Sequence, residues 1–220
     1  MNIELHCDLA PMTCENFVLL LERMTESPYA KLCTMNAMDA LECAMVLDEW
    51  NDSARPYPVE ATAHAWFEVQ AAARQNAPAV VFGGHTVNYS ELLACTSRLA
   101  GHLQSSGLGA DKIVGLCVEK SLEEVASTVG IMRAGAAYVP LDPKLPLERL
   151  QYLAGQCECA VVVALKKYVE LADSTGVSST LVAEKVIHDA RAGSFDPDHA
   201  AVRRCGPKSL AYLLFTSGST

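Results

Sequence analysis

Five residues at the end of this 220-residue chain have the types and order to hold phosphate: Thr216, Ser217, Gly218, Ser219 and Thr220. An apolar run, Leu210 to Phe215, leads straight into them. Side-chain hydroxyls and backbone N–H groups both donate to phosphate oxygens, and a glycine lets the backbone turn back on itself and approach closely. A hydrogen bond to a charged group contributes about 1.5–3 kcal/mol, so several converging donors could hold a polyphosphate. Read alone, the same residues also suit an ordinary Ser/Thr turn, and both readings stand at this point.

Two further segments are ordered enough to matter. Met132 to Pro143 reads as a helix end, with Arg133 near the C-terminus and Gly135 as its cap, followed by a short strand and a proline turn. Asp142 in that segment suits a helix cap or a turn bracket. Val87-Asn88-Tyr89-Ser90-Glu91-Leu92 reads as a helix start, with Asn88 as cap and Glu91 three residues on, as in a capping box. Each segment by itself has a structural reading.

No residue presents itself as a catalytic acid, base or nucleophile. His6, His64, His85, His102, His188 and His199 have no evident catalytic partner, and the nine cysteines contain no C-x-x-C pair. The closest pair is Cys157-Glu158-Cys159. An odd count without metal-ligand spacing predicts reduced thiols in a cytosolic protein and no metal site. Lys plus Arg is 17 against 26 Asp plus Glu, a net charge of −9. That balance argues against nucleic acid as a partner, because counterion release needs clustered cations. It leaves nucleotides open, since backbone amides often hold them. No secretory signal and no bilayer-length apolar run is visible, so the expectation is a cytoplasmic protein without a membrane partner.

The elements that must position these residues follow from periodicity. Ile3 to Leu9 alternates as a strand, Pro11 breaks it and Thr13 caps a helix over residues 14 to 26, which Pro28 ends. A second helix is expected over residues 37 to 50. Asn51 to Pro58, with Pro56 and Pro58 among polar residues, reads as an extended surface linker, with a domain boundary near residue 60. Beyond it, helix and strand alternate. Thr62 to Arg74 is helical, and Ala79 to Phe82 is a strand turning at Gly83-Gly84 into Thr86-Val87. Ser90 to Ser105 is a helix with Gly107 at its cap. Strands are expected at Ile113 to Val118, Ala137 to Pro140 and Ala160 to Ala164, and helices at Leu122 to Arg133 and Leu147 to Ala154. Thr180 to Val182 predicts a short strand, Gly193 to Asp198 a loop, and Leu210 to Phe215 a final buried strand. Continuous β-branched runs between helices predict an α/β fold with a mostly parallel sheet covered on both faces.

The order and spacing of the three segments resemble the adenylate-forming superfamily, and within it the adenylation domains of nonribosomal peptide synthetases. Val87 to Leu92 is similar to their first core motif, Ala134 to Asp142 to their second, and Ala211-Tyr212 through Thr216 to Thr220 to the opening of their phosphate-binding loop. Val114-Gly115-Leu116, Glu119 to Glu123 and Pro146 to Leu150 match as well. Asn88 stands where Thr or Ser is usual, Met132-Arg133 where Leu-Lys is common, and Phe215 where Tyr is frequent.

The resemblance covers residues 62 to 220. Residues 1 to 50 resemble the C-terminal end of a condensation domain, and 51 to 61 the linker, with Trp50-Asn51, Tyr57-Pro58, His64 and Phe67-Glu68 carrying the likeness. It implies an enzyme that binds ATP and Mg2+, activates an amino acid as its adenylate and passes it to phosphopantetheine on a carrier domain, beside an adjacent condensation domain. Thr216, Ser217, Gly218, Ser219 and Thr220 would steady the β- and γ-phosphates. The acidic magnesium ligand, the amino-acid pocket, the ribose-binding aspartate and the catalytic lysine are expected beyond residue 220. The chain alone is therefore expected to be inactive and poorly soluble. The alternatives are a piece of an acyl-CoA-ligase-like enzyme and a non-catalytic docking remnant.

Overall fold

The computed structural model describes residues 11–191 and 205–216. The expected strand at Ile3 to Leu9 and the loop at Gly193 to Asp198 lie outside the described residues. The chain divides into two compact units, Met1–Tyr57 and Pro58–Thr220.

In the first unit, helix α1 spans Pro11–Glu26. Pro11 and Thr13 both lie within this helix, so residue 13 is helical and not the expected cap. Helix α2, Ala40–Ala44, begins later than the expected residue 37 because Asp39 caps it, its Oδ1 accepting from the Glu42 amide at 2.7 Å. A wider π turn, Met45–Glu49, continues it to Trp50. Asn16 Nδ2 donates to Glu42 Oε1 at 2.8 Å and ties the two helices together. Among the described residues of this unit no side chain is buried. Phe17, Leu41, Leu47 and Trp50 all face solvent.

The second unit opens on α3, Ala63–Ala73, whose N-cap is Thr62. Strands β1 (Pro78–Phe82) and β2 (His85–Asn88) form an antiparallel hairpin. Gly83 and Gly84 turn it with φ of +56° and +78°, the left-handed pair that two-residue hairpins demand. Helix α4, Tyr89–Ser105, starts in the anticipated capping box: Asn88 Oδ1 accepts from the Glu91 amide at 2.9 Å, and Glu91 Oε2 accepts from the Asn88 amide at 3.0 Å.

Strand β3 (Ile113–Cys117), helix α5 (Leu122–Arg133), strand β4 (Ala137–Pro140), helix α6 (Leu147–Gln156) and strand β5 (Val161–Ala164) then alternate. A short helix α7 (Val169–Asp173), strand β6 (Thr180–Val182) and helix α8 (Ala183–Arg191) complete the described elements up to residue 191. The four strands form one parallel sheet in the order β4-β3-β5-β6.

Both faces of the sheet are covered, and the period-two alternation of the strands sorts the side chains between them. Val114, Leu116, Val161 and Val163 pack with Leu99, Leu103, Ile131 and Val186 of α4, α5 and α8. Cys117, Val162 and Ala164 pack with Leu150, Leu153 and Ala172 of α6 and α7. That two-sided burial is why these strands are continuous apolar runs. Burying each large aliphatic side chain contributes about 1.5–3 kcal/mol. At the centre, Gly115 is required: a Cβ there would lie 2.8 Å from both Leu141 Cδ1 and Val162 Cγ2.

The final expected strand is corrected. Leu210 to Phe215 is not a buried strand; it meets the sheet in a single parallel bridge, Tyr212 beside Tyr138 at the free edge of β4. Tyr138 N–H donates to Ala211 O at 3.2 Å, and Leu213 N–H donates to Tyr138 O at 2.9 Å. The ladder stops on both sides for a covalent and a local reason. The next donor on that edge is Pro140, which has no N–H. The previous one, Ala136 N–H, is already given to Ile131 O in the cap of α5. Leu210, Tyr212 and Leu214 accordingly stay exposed.

Candidate functional site

The parallel bridge fixes the direction of the chain leading to the hydroxyl residues. From Tyr212 it runs as β4 runs from Tyr138, so Thr216 lies toward the C-terminal end of the sheet, the end at which open α/β sheets bind ligands. Of the five expected phosphate-holding residues, Thr216 is described; Ser217, Gly218, Ser219 and Thr220 lie outside the described residues.

At the same end of the sheet a cleft of about 690 Å³ opens between the segments that follow β3 and β4, with Glu119, Lys120, Glu124, Tyr138, Asp142 and Lys144 on its walls. Tyr138 is half-buried there, and its ring stands 5.8 Å from that of Tyr212, inclined at 35°. Burial first, and then the neighbouring Tyr212 and Glu124, push the Tyr138 phenol above its ordinary range, so it is a neutral hydroxyl at physiological pH. Asp142 brackets a turn rather than capping a helix: its Oδ1 accepts from the Lys144 amide at 3.0 Å, and Pro146 precedes α6.

Glu119 reaches from the end of β3 to the segment after β5, where Lys167 Nζ and the Tyr168 hydroxyl both donate to its carboxylate. Those bonds, Lys167 first, hold the Glu119 carboxyl below the usual carboxylate range and keep Lys167 protonated. The pair is well exposed, so it orients two loops and adds little stability.

At the other end of α5, Arg133 does more than complement a helix end. Its Nε donates to Glu68 Oε1 at 2.8 Å, and its Nη1 to Ser97 Oγ at 2.6 Å, Thr96 Oγ1 at 2.8 Å and Leu93 O at 3.3 Å. One buried guanidinium thus pins α3, α4 and α5 together. Local sequence carries no sign of this, because the partners stand 36 to 65 residues away.

His64, buried at the start of α3, has Nε2 3.1 Å from Thr62 Oγ1. Burial lowers its pKa, opposed by Glu68 and assisted by Arg133. It borders a cavity of about 240 Å³ with Met132, Cys205, Ser209 and Ala211. The thiol of Cys205 donates to Gly135 O at 2.9 Å. Burial pushes Cys117 up to about 11 and Cys159 to about 12, so neither is a nucleophile near neutral pH. Among the described residues no group of three or more His, Cys, Asp or Glu could hold a metal ion. None of their helices is long and apolar enough to cross a membrane. Among the described residues Thr216 and Tyr138 bring hydroxyls to this end of the sheet.

Comparison with known proteins agrees with this fold. Residues 67–220 match the family described as AMP-binding enzyme. A linear gramicidin synthase of Brevibacillus parabrevis is 34% identical over 201 residues, which is 91% of this chain and 2% of that protein. Malpinin synthetase of Mortierella alpina is 32% identical over 201 residues, again 91% of this chain and 2% of the relative. Among solved structures, the nonribosomal peptide synthetase FmoA3 in its AMPPNP-bound form superposes with a TM-score of 0.71 at 27% identity, covering 95% of this chain and 22% of that one. A Mycobacterium tuberculosis fatty acyl CoA synthetase shares the fold, with a TM-score of 0.61 at 21% identity over 70% of this chain and 32% of its own. This chain therefore spans a small part of each of these relatives. It belongs to the AMP-binding enzyme family and corresponds to part of an adenylation domain of the nonribosomal peptide synthetase kind.

Proposed function

We propose that this chain forms the phosphate-binding side of an enzyme that activates an amino acid with ATP and hands it to a phosphopantetheine carrier. In that reaction the amino-acid carboxylate bonds to the α-phosphorus, the bond to the bridging oxygen breaks, and pyrophosphate leaves. Thr216, Ser217, Gly218, Ser219 and Thr220 donate to the β- and γ-phosphate oxygens and hold the leaving group in line. Such a displacement depends mainly on positioning and on stabilising charge. The observation that carries the reading is the Tyr138–Tyr212 bridge, which directs Thr216 to the ligand-binding end of the sheet.

The donor set fits a polyphosphate. In the intact enzyme Mg2+ would accompany ATP, taking most of its ligands from the phosphates and water. Residues 1 to 50 serve as the end of a condensation domain, 51 to 61 as linker and 62 to 220 as the start of the adenylation domain. The solvent-facing apolar residues of the first unit, Phe17, Leu41 and Trp50, support that assignment, because a condensation-domain end leaves them a neighbour to pack on. Cys14, Cys33, Cys43, Cys117 and Cys157 carry thiols and no disulfide, which supports a reducing, cytosolic setting. The acyl-CoA-ligase alternative has support from fold alone, at 21% identity.

Phosphate-holding donors supply only part of the charge stabilisation such a displacement needs, so the 220 residues by themselves are expected to be inactive. Amino-acid-dependent exchange of labelled pyrophosphate into ATP tests this. Signal at the blank level is expected from the 220-residue chain, and clear turnover would overturn the reading.

A further inference from the structure

The hydroxyl residues need a fixed origin, and the sheet offers a meagre one. The segment that delivers them makes one bridge to β4, with two backbone hydrogen bonds, and its side chains are largely exposed. A segment held by so little opens readily. What adds to the bridge is aromatic: the Tyr212 ring lies 5.8 Å from that of Tyr138, inclined at 35°. A tilted pair at this separation lies in the range over which rings attract beyond the area they bury. Tyr138 is itself fixed, because Ala137 and Val139 on either side are fully buried and β4 is hydrogen-bonded along its other edge to β3.

We propose that Tyr138 and Tyr212 form an aromatic clasp that sets the position of the segment up to Thr216, making both tyrosines positioning residues for phosphate binding. This rests on the phosphate-holding reading given above, but the clasp has a consequence of its own. Without the ring pair, two hydrogen bonds must hold the segment, and the bridge opens locally while β3 and β5 stay closed. The ring faces carry the effect. Phenylalanine therefore substitutes for either tyrosine, whereas alanine does not.

Two measurements on the 220-residue chain separate the clasp from the phosphate reading. The first is amide hydrogen exchange without ligand. In Tyr212→Ala and Tyr138→Ala the Leu213 amide should exchange about ten-fold faster or more, with β5 amides unchanged as the internal control for folding. Tyr212→Phe and Tyr138→Phe should match the parent. Unchanged Leu213 exchange in Tyr212→Ala, or equal loss in Tyr212→Phe, overturns the clasp. The second is titration with AMPPNP and Mg2+ followed by NMR. Tyr212→Ala should weaken binding about five-fold or more and Tyr212→Phe less than about two-fold. Equal binding by parent and Tyr212→Ala overturns the positioning role. A parent that binds no nucleotide overturns the phosphate reading and with it the positioning role, while hydrogen exchange still decides whether the clasp exists.

Discussion

Arg133 donates to Glu68 across 2.8 Å from a side chain that is 5% exposed to one that is 32% exposed. The asymmetry decides which partner matters more. A buried cation left without its carboxylate costs about 3–5 kcal/mol, but here Ser97, Thr96 and Leu93 keep three hydrogen bonds to the guanidinium and water can reach the Glu68 position. Glu68→Ala should therefore lower stability by about 1–2 kcal/mol. Arg133→Ala leaves a cavity and strips Glu68, Ser97 Oγ and Thr96 Oγ1 of a donor, although both hydroxyls still donate to Leu93 O; it should cost about 3 kcal/mol or more. Urea unfolding of the two variants, read at the midpoint, checks the order. A larger loss for Glu68→Ala would contradict it.

His64 makes stability depend on pH in the same neighbourhood. Burial, the largest influence, lowers its pKa from 6.5; Glu68 opposes this and Arg133 assists. The unfolded chain therefore binds a proton that the folded chain resists. The stability that His64 contributes is fully present above 6.5 and declines as pH falls from there toward its folded pKa. In His64→Gln, whose amide can still meet Thr62, the decline below pH 6.5 should be shallower than in the parent. Unfolding midpoints measured across the acid range would show parallel curves if His64 were not responsible.

Much of the architecture was legible because its causes are local. Val161 to Ala164 declared a strand covered on both faces, and Asn88 with Glu91 declared a helix start. Helix α8 was legible in principle, since Ala183, Val186 and Ile187 stand at helical spacing and all three are buried. The single bridge at Tyr212 was not. It depends on Pro140 lacking a donor and on Ala136 spending its own on Ile131, facts that belong to another segment's hydrogen bonds. The Arg133 network was hidden for the same reason. At the site, the direction of the chain into Thr216 follows from the structure, while the roles of Ser217 to Thr220 still rest on their chemistry.

The thiols offer a direct check on burial. Cys117, raised to about 11, and Cys159, raised to about 12, should resist a disulfide-exchange reagent at pH 7.5 in the folded protein, as should buried Cys157. Cys33, which is exposed, should react first. Titration with Ellman's reagent, before and after addition of urea, gives the two populations. Prompt labelling of Cys117, located by peptide mapping, would contradict the sheet as described.

Gly115 tests the packing that carries β3 toward the cleft. A methyl group there would meet Leu141 Cδ1 and Val162 Cγ2 at 2.8 Å each, and Val162 is too stiff at its branched Cβ to yield easily. Gly115→Ala should cost about 1–3 kcal/mol through overpacking, even though alanine is otherwise the better strand residue. Pairing it with Val162→Ala, which opens room on one side, should make the combined loss smaller than the sum of the two. Additive losses in a double-mutant cycle would mean the two side chains do not meet.

The last prediction turns on one missing hydrogen. In β4, Ala137 and Leu141 donate toward β3, and Tyr138 donates the other way, toward Ala211. Residue 140 shares the parity of Tyr138, so a donor there would point at Leu213 O, the acceptor a parallel ladder would use next. Proline denies it. Pro140→Ala should restore the donor, lengthen the bridge by one hydrogen bond and slow exchange at residues 212 to 214, with an amide at position 140 that is itself protected. The effect on nucleotide binding should run the other way if the turn after Val139 needs the fixed φ of proline to lead into Leu141 and Asp142. Slower exchange together with weaker AMPPNP binding would show that the sheet gives up edge pairing here to keep that turn. Unchanged exchange would show that something other than the missing donor ends the ladder.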